Sequence, residues 1–146
     1  MRYSLRELLP ADFETLFAIH EAAMRHYVEA TWGRWDEEFQ RDHFRGMLER
    51  GMAKVVQVRG EAVGLLELRD AADQVEVLNI ELAPVVQRCG LGTEILGDVI
   101  GRAGRRPVAL QVLKVNPARR LYERLGFVAA GETATHILMR RPSATS

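Results

Sequence analysis

Two glycines, Gly90 and Gly92, stand in the segment Gln87-Arg88-Cys89-Gly90-Leu91-Gly92-Thr93, at the start of an apolar stretch with helical spacing. Glycines at such a place let the backbone approach a ligand closely and turn several N–H groups toward it. The N-terminal end of a helix adds partial positive charge, so a phosphate is the natural guest. Arg88 adds a charge and Thr93 a hydroxyl. A tight turn with a glycine cap is the alternative, and it is the better interpretation of two glycines taken alone.

Two known phosphate-binding loops are excluded by the residues that follow. A dinucleotide-binding fingerprint needs a third glycine at position 95, where this chain has Ile95. A Walker loop needs a Gly-Lys-Ser or Gly-Lys-Thr run, which the segment lacks. A nucleotide-binding fold of either kind is therefore not predicted.

The fuller string Val85-Val86-Gln87-Arg88-Cys89-Gly90-Leu91-Gly92 resembles the Q/R-x-x-G-x-G/A motif of the GNAT acetyltransferase superfamily, and Pro84 fits the loop of that family. A second segment, Asn116-Pro117-Ala118-Arg119-Arg120-Leu121-Tyr122-Glu123-Arg124-Leu125-Gly126-Phe127, resembles the family's Asn…Leu-Tyr-Glu-x-Leu-Gly-Phe signature. The resemblance implies an N-acetyltransferase that moves an acetyl group directly from acetyl-CoA to a primary amine of a small molecule or peptide. A non-catalytic acyl-CoA-binding sensor or regulatory module is the alternative function.

The resemblance also assigns most contacts with acetyl-CoA to backbone groups. It implies that the Leu82 N–H holds the thioester carbonyl as an oxyanion-type donor, and that Asn116 touches the pantetheine arm. Amides from Gln87 to Thr93 would hold the diphosphate. Cys89 is interpreted as a small residue that fills the loop, since a catalytic thiol needs a paired base. The residues implied to bind the cofactor are Leu82, Ala83, Gln87, Arg88, Cys89, Gly90, Leu91, Gly92, Thr93 and Asn116.

Direct transfer of the acetyl group involves two protons, one that the amine loses and one that the leaving thiolate can take up. A typical amine has a pKa near ~10 and must lose a proton before it attacks the thioester. The coenzyme A thiolate then leaves, and Tyr122 matches the tyrosine that acts as acid in the family. The alternative is structural, because Ala118, Leu121, Tyr122 and Leu125 form an ordinary apolar helix stripe.

Three carboxylates are candidates for the base. Glu76 aligns with a strand position that holds a catalytic Glu or His in several GNAT enzymes. Glu81 lies on the same strand, on the opposite face unless a bulge changes the phase. Glu67 interrupts an apolar run. A surface salt bridge is the alternative for each, and a water chain without a dedicated base is also consistent with the sequence.

The resemblance implies that the first two helices and their connection shape the acceptor pocket, and in this chain the connection runs from His26 to Asp36. Both tryptophans of the protein fall in this connection. Aromatic walls with a carboxylate suit a cationic amine or a peptide N-terminus. The alternative is that the two tryptophans cover the edge of the core. The predicted substrate-binding residues are Tyr27, Glu29, Trp32 and Glu67.

The elements that carry these residues follow from periodicity and turn signals. Their order is β-α-α-β-β-β-α-β-α-β-β, an α/β (α+β) domain, and the resemblance implies a mixed central sheet of about seven strands with four flanking helices and splayed central strands. We expect Asp12 and Asp36 to cap the first two helices, and Phe39, Phe44, Met47 and Leu48 to face inward on the second. The other predicted elements are strands at Tyr3–Leu8, Val55–Val58, Val63–Leu68, Val75–Leu82 and Val108–Leu113, helices at Leu91–Ala103 and from Pro117 to Gly126, and a closing hairpin of Phe127–Ala130 with Thr135–Met139.

The composition fits one globular domain, which the resemblance identifies as a GNAT domain over residues 1–141 with a short tail at 142–146. Twenty basic residues balance twenty acidic ones, so no nucleic acid or membrane partner is predicted. The chain has a single cysteine, no apolar signal core and no run of ~18 apolar residues, so a cytoplasmic location is expected. The four histidines share no metal spacing and no metal is predicted. Whether an edge strand pairs two chains into a homodimer stays open.

Overall fold

A computed structural model describes residues 3–143, so Ala144 to Ser146 of the predicted tail lie outside the described residues. Within 3–143 the chain forms seven strands and four α-helices, in the predicted order. The elements are β1 Ser4–Glu7, α1 Phe13–Trp32, α2 Glu37–Glu49, β2 Ala53–Val58, β3 Glu61–Asp70, β4 Val75–Leu82, α3 Leu91–Ala103, β5 Val108–Leu113, α4 Arg119–Arg124, β6 Val128–Glu132 and β7 His136–Arg141.

The seven strands form one mixed sheet in the order β1-β2-β3-β4-β5-β7-β6. The pair β4–β5 is parallel, whereas β1–β2, β2–β3, β5–β7 and β6–β7 are antiparallel. The parallel register joins Val75–Val77 to Val108–Leu110, which is the first half of each strand. This mixed sheet with four helices confirms the predicted fold class. None of the helices described is long and apolar enough to cross a bilayer.

The chain divides into two compact units. The first comprises the described part of Met1–Glu67 together with Asn79–Leu91, and the second comprises Leu68–Leu78 with the described part of Gly92–Ser146. The core of the first unit lies where α1 and α2 pack on β2 and β3. Its buried residues are Leu16, Phe17, Ile19, Phe44, Met47, Ala53, Val55 and Leu65.

Helix α2 starts as predicted, because the Asp36 carboxylate accepts a hydrogen bond from the Phe39 N–H at 3.0 Å. The prediction that Phe39 faces inward was wrong, since its side chain is 61% exposed. The buried positions of α2 are Gln40, Phe44 and Met47, at spacings of four and three residues, and Phe39 lies one position outside that stripe.

At the start of α1, Asp12 occupies the N-cap position, but its side chain makes no capping hydrogen bond to the helix. The carboxylate instead binds the Arg6 guanidinium through two contacts of 2.8 and 2.9 Å and accepts from the Leu9 N–H at 2.8 Å. The prediction that the Asp12 side chain caps α1 was therefore wrong, although Asp12 does occupy the N-cap position. A bidentate, charge-assisted pair outcompetes a cap with a single neutral donor.

In the second unit, β5 pairs with β7 along its whole length, and β7 pairs with β6. Ile95, Leu96 and Val99 form the buried stripe of α3. Helix α4 is shorter than predicted and covers only Arg119–Arg124. The Asn116 side chain explains the late start, because its Oδ1 accepts from the Ala118 N–H at 2.9 Å and holds the preceding residues in a turn.

Candidate active site

The glycine-containing loop after β4 has an unusual backbone. Arg88 has a φ of 64° and Gly90 a φ of 87°, so a non-glycine residue and a glycine both adopt the left-handed conformation just before α3. A left-handed residue of arginine type is uncommon and costs conformational energy, which marks the loop as a candidate functional segment. Alternating left-handed residues of this kind turn backbone N–H groups into an anion-binding concavity.

Two side chains of the loop stabilise it by donating hydrogen bonds to backbone carbonyl groups of the first unit. The Gln87 Nε2 donates to the Leu82 carbonyl at 2.9 Å, and the Cys89 thiol donates to the Val86 carbonyl at 2.6 Å. A Cβ placed on Gly90 would meet no atom within 4 Å, so the space beside this residue is open. The loop is thus held by hydrogen bonds at its base and has open space beside Gly90.

Helix α3 begins at Leu91, as the glycine pattern predicted. Leu91 is fully buried and anchors this end of the loop, whereas Thr93 is exposed. The first turn also carries Glu94, whose negative charge is placed where the helix end already favours anions.

The end of β4 lies very close to the backbone of β3. A Cβ on Gly64 would lie 2.2 Å from the Glu81 carbonyl oxygen and 2.8 Å from the Leu82 side chain, so no other residue fits there without a backbone shift. One residue beyond the strand, the Ala83 N–H donates to the Val63 carbonyl at 2.7 Å. The segment Glu81–Ala83 is therefore tightly held against β3.

A buried polar cluster links α1, α2 and β4 of the first unit. The His20 Nδ1 lies 2.9 and 3.0 Å from the two carboxylate oxygens of Glu81, and its Nε2 lies 2.9 Å from the Gln40 Oε1. All three residues are buried. Both ring nitrogens face acceptor oxygens, so the protonated ring can donate to Glu81 and Gln40 at once, whereas a neutral ring has a single N–H to donate.

The pKa of His20 reflects two opposing influences. Burial, the larger single effect, lowers it, but the hydrogen bonds and charge of Glu81, together with Gln40, raise it by more in total. The net result is a raised pKa, which agrees with the geometry of two donated hydrogen bonds.

A second buried carboxylate, Glu67 on β3, is also fully engaged. Its side chain is completely buried and accepts from the Arg50 Nε and NH2 groups at 3.1 and 2.9 Å. The Asn79 amide donates to the same carboxylate at 2.7 Å. Glu67 had been predicted to bind the acceptor or to act as a base, and the structure surrounds it with these internal partners.

The second unit holds the remaining catalytic candidates. Glu76 on β4 is half-buried and pairs with Arg69 at 3.3 Å. Tyr122 on α4 is buried and packs edge-on against Phe127, with ring centroids 6.0 Å apart. Burial raises the pKa of Tyr122 to about 12, so its hydroxyl keeps its proton over the whole physiological range. Asn116 uses its carbonyl oxygen to cap the turn before α4.

The predicted acceptor residues of the connection lie near the C-terminal end of α1. Trp32 is 53% exposed, and Glu29 is exposed beside Arg25, with a separation of 3.5 Å. Tyr27 is half-buried and stacks edge-on with His26. The two tryptophans differ in their surroundings, because Trp35 packs against the core of the first unit.

Sequence reasoning missed the polar partners inside the first unit. His20, Gln40, Arg50 and Asn79 were not assigned a role, although they hold two carboxylates that had been singled out. His20 follows Leu16 and Phe17 at helical spacing, and a polar residue on a buried stripe requires a hydrogen-bonding partner. Among residues 3–143, no group of three or more histidine, cysteine or acidic side chains is arranged to hold a metal.

Comparison with known proteins places these features in a family. A family model described as an acetyltransferase (GNAT) domain matches residues 21–136. A ribosomal protein bS18-alanine N-acetyltransferase from Haemophilus influenzae is 27% identical over 126 residues, which cover 84% of this chain and 80% of that protein.

Solved structures agree in fold at lower identity. The PaiA N-acetyltransferase from Thermoplasma acidophilum, in complex with coenzyme A, superposes with a TM-score of 0.74 at 19% identity, covering 97% of this chain and 99% of that one. The ribosomal-protein-S18-alanine N-acetyltransferase from Escherichia coli gives a TM-score of 0.69 at 22% identity, covering 99% and 96%. At these identities the shared property is the fold.

Proposed function

The chain belongs to the GNAT acetyltransferase family and is an N-acetyltransferase, and on this premise we propose that it moves an acetyl group directly from acetyl-CoA to a primary amine. The observation that carries the proposal is the left-handed pair Arg88 and Gly90, which precedes α3 within the family's own motif. We further propose the cytoplasm as its location, since the donor is a soluble metabolite and the one cysteine is a free thiol.

The loop suits the diphosphate of acetyl-CoA in shape and in charge. Its N–H groups, from Gln87 to Thr93, precede or begin a 13-residue helix whose end favours anions. The open side of Gly90 leaves room for phosphate oxygens to approach the backbone. In this proposal the Leu82 N–H donates to the thioester carbonyl and Asn116 contacts the pantetheine arm.

Tyr122 is proposed to serve the leaving group. Its pKa of about 12 lies above the ~8.5 typical of a thiol, so the phenol stays protonated when the coenzyme A sulfur becomes anionic. The hydroxyl can therefore meet the sulfur as a hydrogen-bond donor and stabilise the charge that develops as the C–S bond breaks. This role does not require complete proton transfer.

For the attacking amine, we propose Glu76 as the base, acting directly or through water. Glu81 and Glu67 are buried and held by His20 and by Arg50 with Asn79. Glu76 differs from both because its carboxylate is half-buried, and its partner Arg69 is 51% exposed. A solvated pair of this kind is weak and leaves the carboxylate able to accept a proton.

An N-terminal α-amine is the acceptor that we propose first. The bS18-alanine N-acetyltransferase of Haemophilus influenzae is named for a protein substrate, which supports a peptide acceptor for this chain as well. An α-amine has a pKa of about 7.7–8.0, against ~10.4 for a lysine side chain, so it needs little help to lose its proton. The exposed Trp32 and Glu29 offer an aromatic and acidic surface suited to such an amine.

The donor half of the proposal is tested by comparing two glycines with the same backbone conformation. Gly90 and Gly60 have φ values of 87° and 81°, and neither has an atom within 4 Å of a Cβ position. Gly90→Ala and Gly60→Ala therefore introduce similar strain, of about 1–2 kcal/mol, at two different places. We expect isothermal titration to give about tenfold weaker acetyl-CoA binding for Gly90→Ala and unchanged binding for Gly60→Ala. Equal affinities for both variants would contradict the assignment of the loop.

A further inference from the structure

We propose that His20 is a positioning residue for acetyl transfer: through its contact with Glu81 it fixes the end of β4, and with it the Leu82 N–H. This inference rests on the proposed function, in which that N–H binds the thioester carbonyl. It assigns a role to a histidine on α1 and removes Glu81 from the candidate bases.

The geometry of one peptide group supports the link. The Glu81 carbonyl and the Leu82 N–H belong to the same planar, trans peptide, so they point in opposite directions and cannot turn independently. The Glu81 oxygen lies against Gly64, where a Cβ would be only 2.2 Å away. The Leu82 N–H is consequently directed away from the Gly64 backbone. Any rotation of this peptide changes the direction of both groups.

The side chain of Glu81 is held as firmly as its carbonyl. Both carboxylate oxygens lie within 3.0 Å of the His20 Nδ1, and Gln40 holds the other ring nitrogen at 2.9 Å. The imidazole ring itself packs against Phe44 and Trp35, with centroid distances of 5.0 and 5.4 Å. Glu81 thus has one anchor on β3 through its backbone and one on α1 through its side chain.

The same contacts argue against a direct role in proton abstraction. A base must offer a lone pair to the proton that it removes. Both nitrogens of His20 face acceptor oxygens, and Glu81 is buried with its carboxylate turned to the ring. This arrangement suits the pair to orienting the backbone rather than to removing a proton from an external amine.

Isotope-edited infrared spectroscopy measures the contact in question. Acetyl-CoA labelled with ¹³C at the thioester carbonyl is bound to the wild-type enzyme, to His20→Gln and to Glu81→Gln, and the carbonyl stretching frequency is compared with that of the free ligand. Asp12→Asn is the matched control, because Asp12 is also a carboxylate in a bidentate pair within the first unit. Acetyl-CoA affinity and kcat are measured for each protein.

We expect the wild type and Asp12→Asn to lower the carbonyl frequency by the same amount, and His20→Gln and Glu81→Gln to lose at least half of that shift. The kcat of His20→Gln and of Glu81→Gln should fall about 10- to 100-fold, which is less than the ~10²–10³ expected for complete loss of an oxyanion donor. The acetyl-CoA affinity of both variants should stay within about threefold of wild type. If both variants lower the carbonyl stretching frequency as much as the wild type does, the role of His20 is overturned and the proposed function stays intact. Tight binding without any shift in the wild type contradicts the assignment of Leu82, and absence of binding contradicts the proposed function itself.

If neither variant folds, a measurement on the wild type decides. In ¹⁵N-labelled protein, the Leu82 amide signal is followed while His20 is titrated. The charged groups that face the ring are Glu81 on β4 and Glu21 on α1, and Gln40 on α2 is neutral. We expect the Leu82 amide to shift with the same midpoint as the His20 ring nitrogens. A Leu82 signal that does not follow His20 overturns the proposal.

Discussion

His20 and Tyr122 are both buried, and both have raised pKa values for different physical reasons. The pKa of His20 is raised because the hydrogen bonds and charge of Glu81, together with Gln40, outweigh the lowering effect of burial. Tyr122 keeps its proton because a buried phenolate is poorly solvated, and the neutral hydroxyl remains a donor. At the scale of single residues, removal from water therefore lowers the pKa of His20 and raises that of Tyr122, and the partners of His20 reverse the effect of its burial.

Tyr122→Phe tests the donor role. The change removes one hydroxyl and keeps the ring that packs against Phe127. We expect kcat to fall by about 10²–10⁴ while acetyl-CoA affinity changes little, since the hydrogen bond forms to a charge that exists only during transfer. Steady-state kinetics and isothermal titration measure the two quantities. Tyr3→Phe, a hydroxyl deletion outside the proposed site, serves as control, and a Tyr122→Phe enzyme with unchanged turnover would exclude the donor role.

The raised pKa of His20 predicts that the unfolding free energy of the protein depends on pH. Its pKa is raised in the folded state, so its contribution to the unfolding free energy is complete below the unfolded pKa of ~6.5 and is lost as pH rises through the folded value. The double variant His20→Gln/Glu81→Gln removes both members of the pair and is the proper reference. We expect urea unfolding to give a larger stability difference between wild type and double variant at pH 6 than at pH 9. A difference that does not depend on pH would contradict the charged form of His20.

At the scale of elements, β4 holds several of the residues to which the proposed reaction assigns a role. It contains Glu76 and Glu81, ends at Leu82 and leads directly into the loop of Gln87. Its last residues are held by Gly64 on the neighbouring strand, where no side chain fits. The position of the strand end therefore depends on a glycine that lies well outside both sequence motifs.

Gly64→Ala is expected to destabilise the protein and to lower activity together. The added Cβ meets a backbone oxygen at 2.2 Å, so β3 or β4 must shift, at a cost of about 1–3 kcal/mol. Gly46→Ala on α2 is the matched control, since a Cβ there meets nothing within 4 Å. That control should be neutral or stabilising by up to ~1 kcal/mol, because alanine favours a helix. Equal unfolding free energies for the two variants in urea would contradict the close approach of the strands.

The limits of sequence prediction are also clearest at this scale. The bounds of β4, α3 and β5 agree with the predicted ones, because periodicity, Pro84 and the glycines are local signals. The start of α4 was predicted two residues early because the Asn116 cap and Pro117 belong to a turn instead. The pairs His20–Glu81 and Arg50–Glu67 join residues 61 and 17 positions apart, and no local pattern specifies such contacts. The strand and helix that flank the Gln87–Thr93 loop were thus predictable, whereas the partners of the acidic residues were not.

For the whole molecule, family membership and the local geometry support different parts of the account. The family establishes an N-acetyltransferase, and the loop before α3 supports acetyl-CoA as the donor. The proposed acceptor follows from the partners of the three candidate carboxylates, since each pairs with a basic side chain. Because these pairs compete with proton abstraction from the acceptor, they favour an amine whose pKa is low enough that it loses its proton easily. The charge balance of the chain gives no support to a nucleic acid partner.

The most direct test of this account follows the acetyl group itself. The enzyme is incubated with acetyl-CoA labelled in the acetyl group and a short peptide with a free N-terminal alanine, beside the same peptide with a blocked N-terminus. Mass spectrometry of the peptide and a thiol assay of coenzyme A measure the products. We predict label on the α-amine in amounts equal to the coenzyme A released, and none on the blocked peptide. Tight acetyl-CoA binding with no transfer to peptides, amino acids, polyamines or aminoglycosides would contradict the account and favour a regulatory acyl-CoA-binding module.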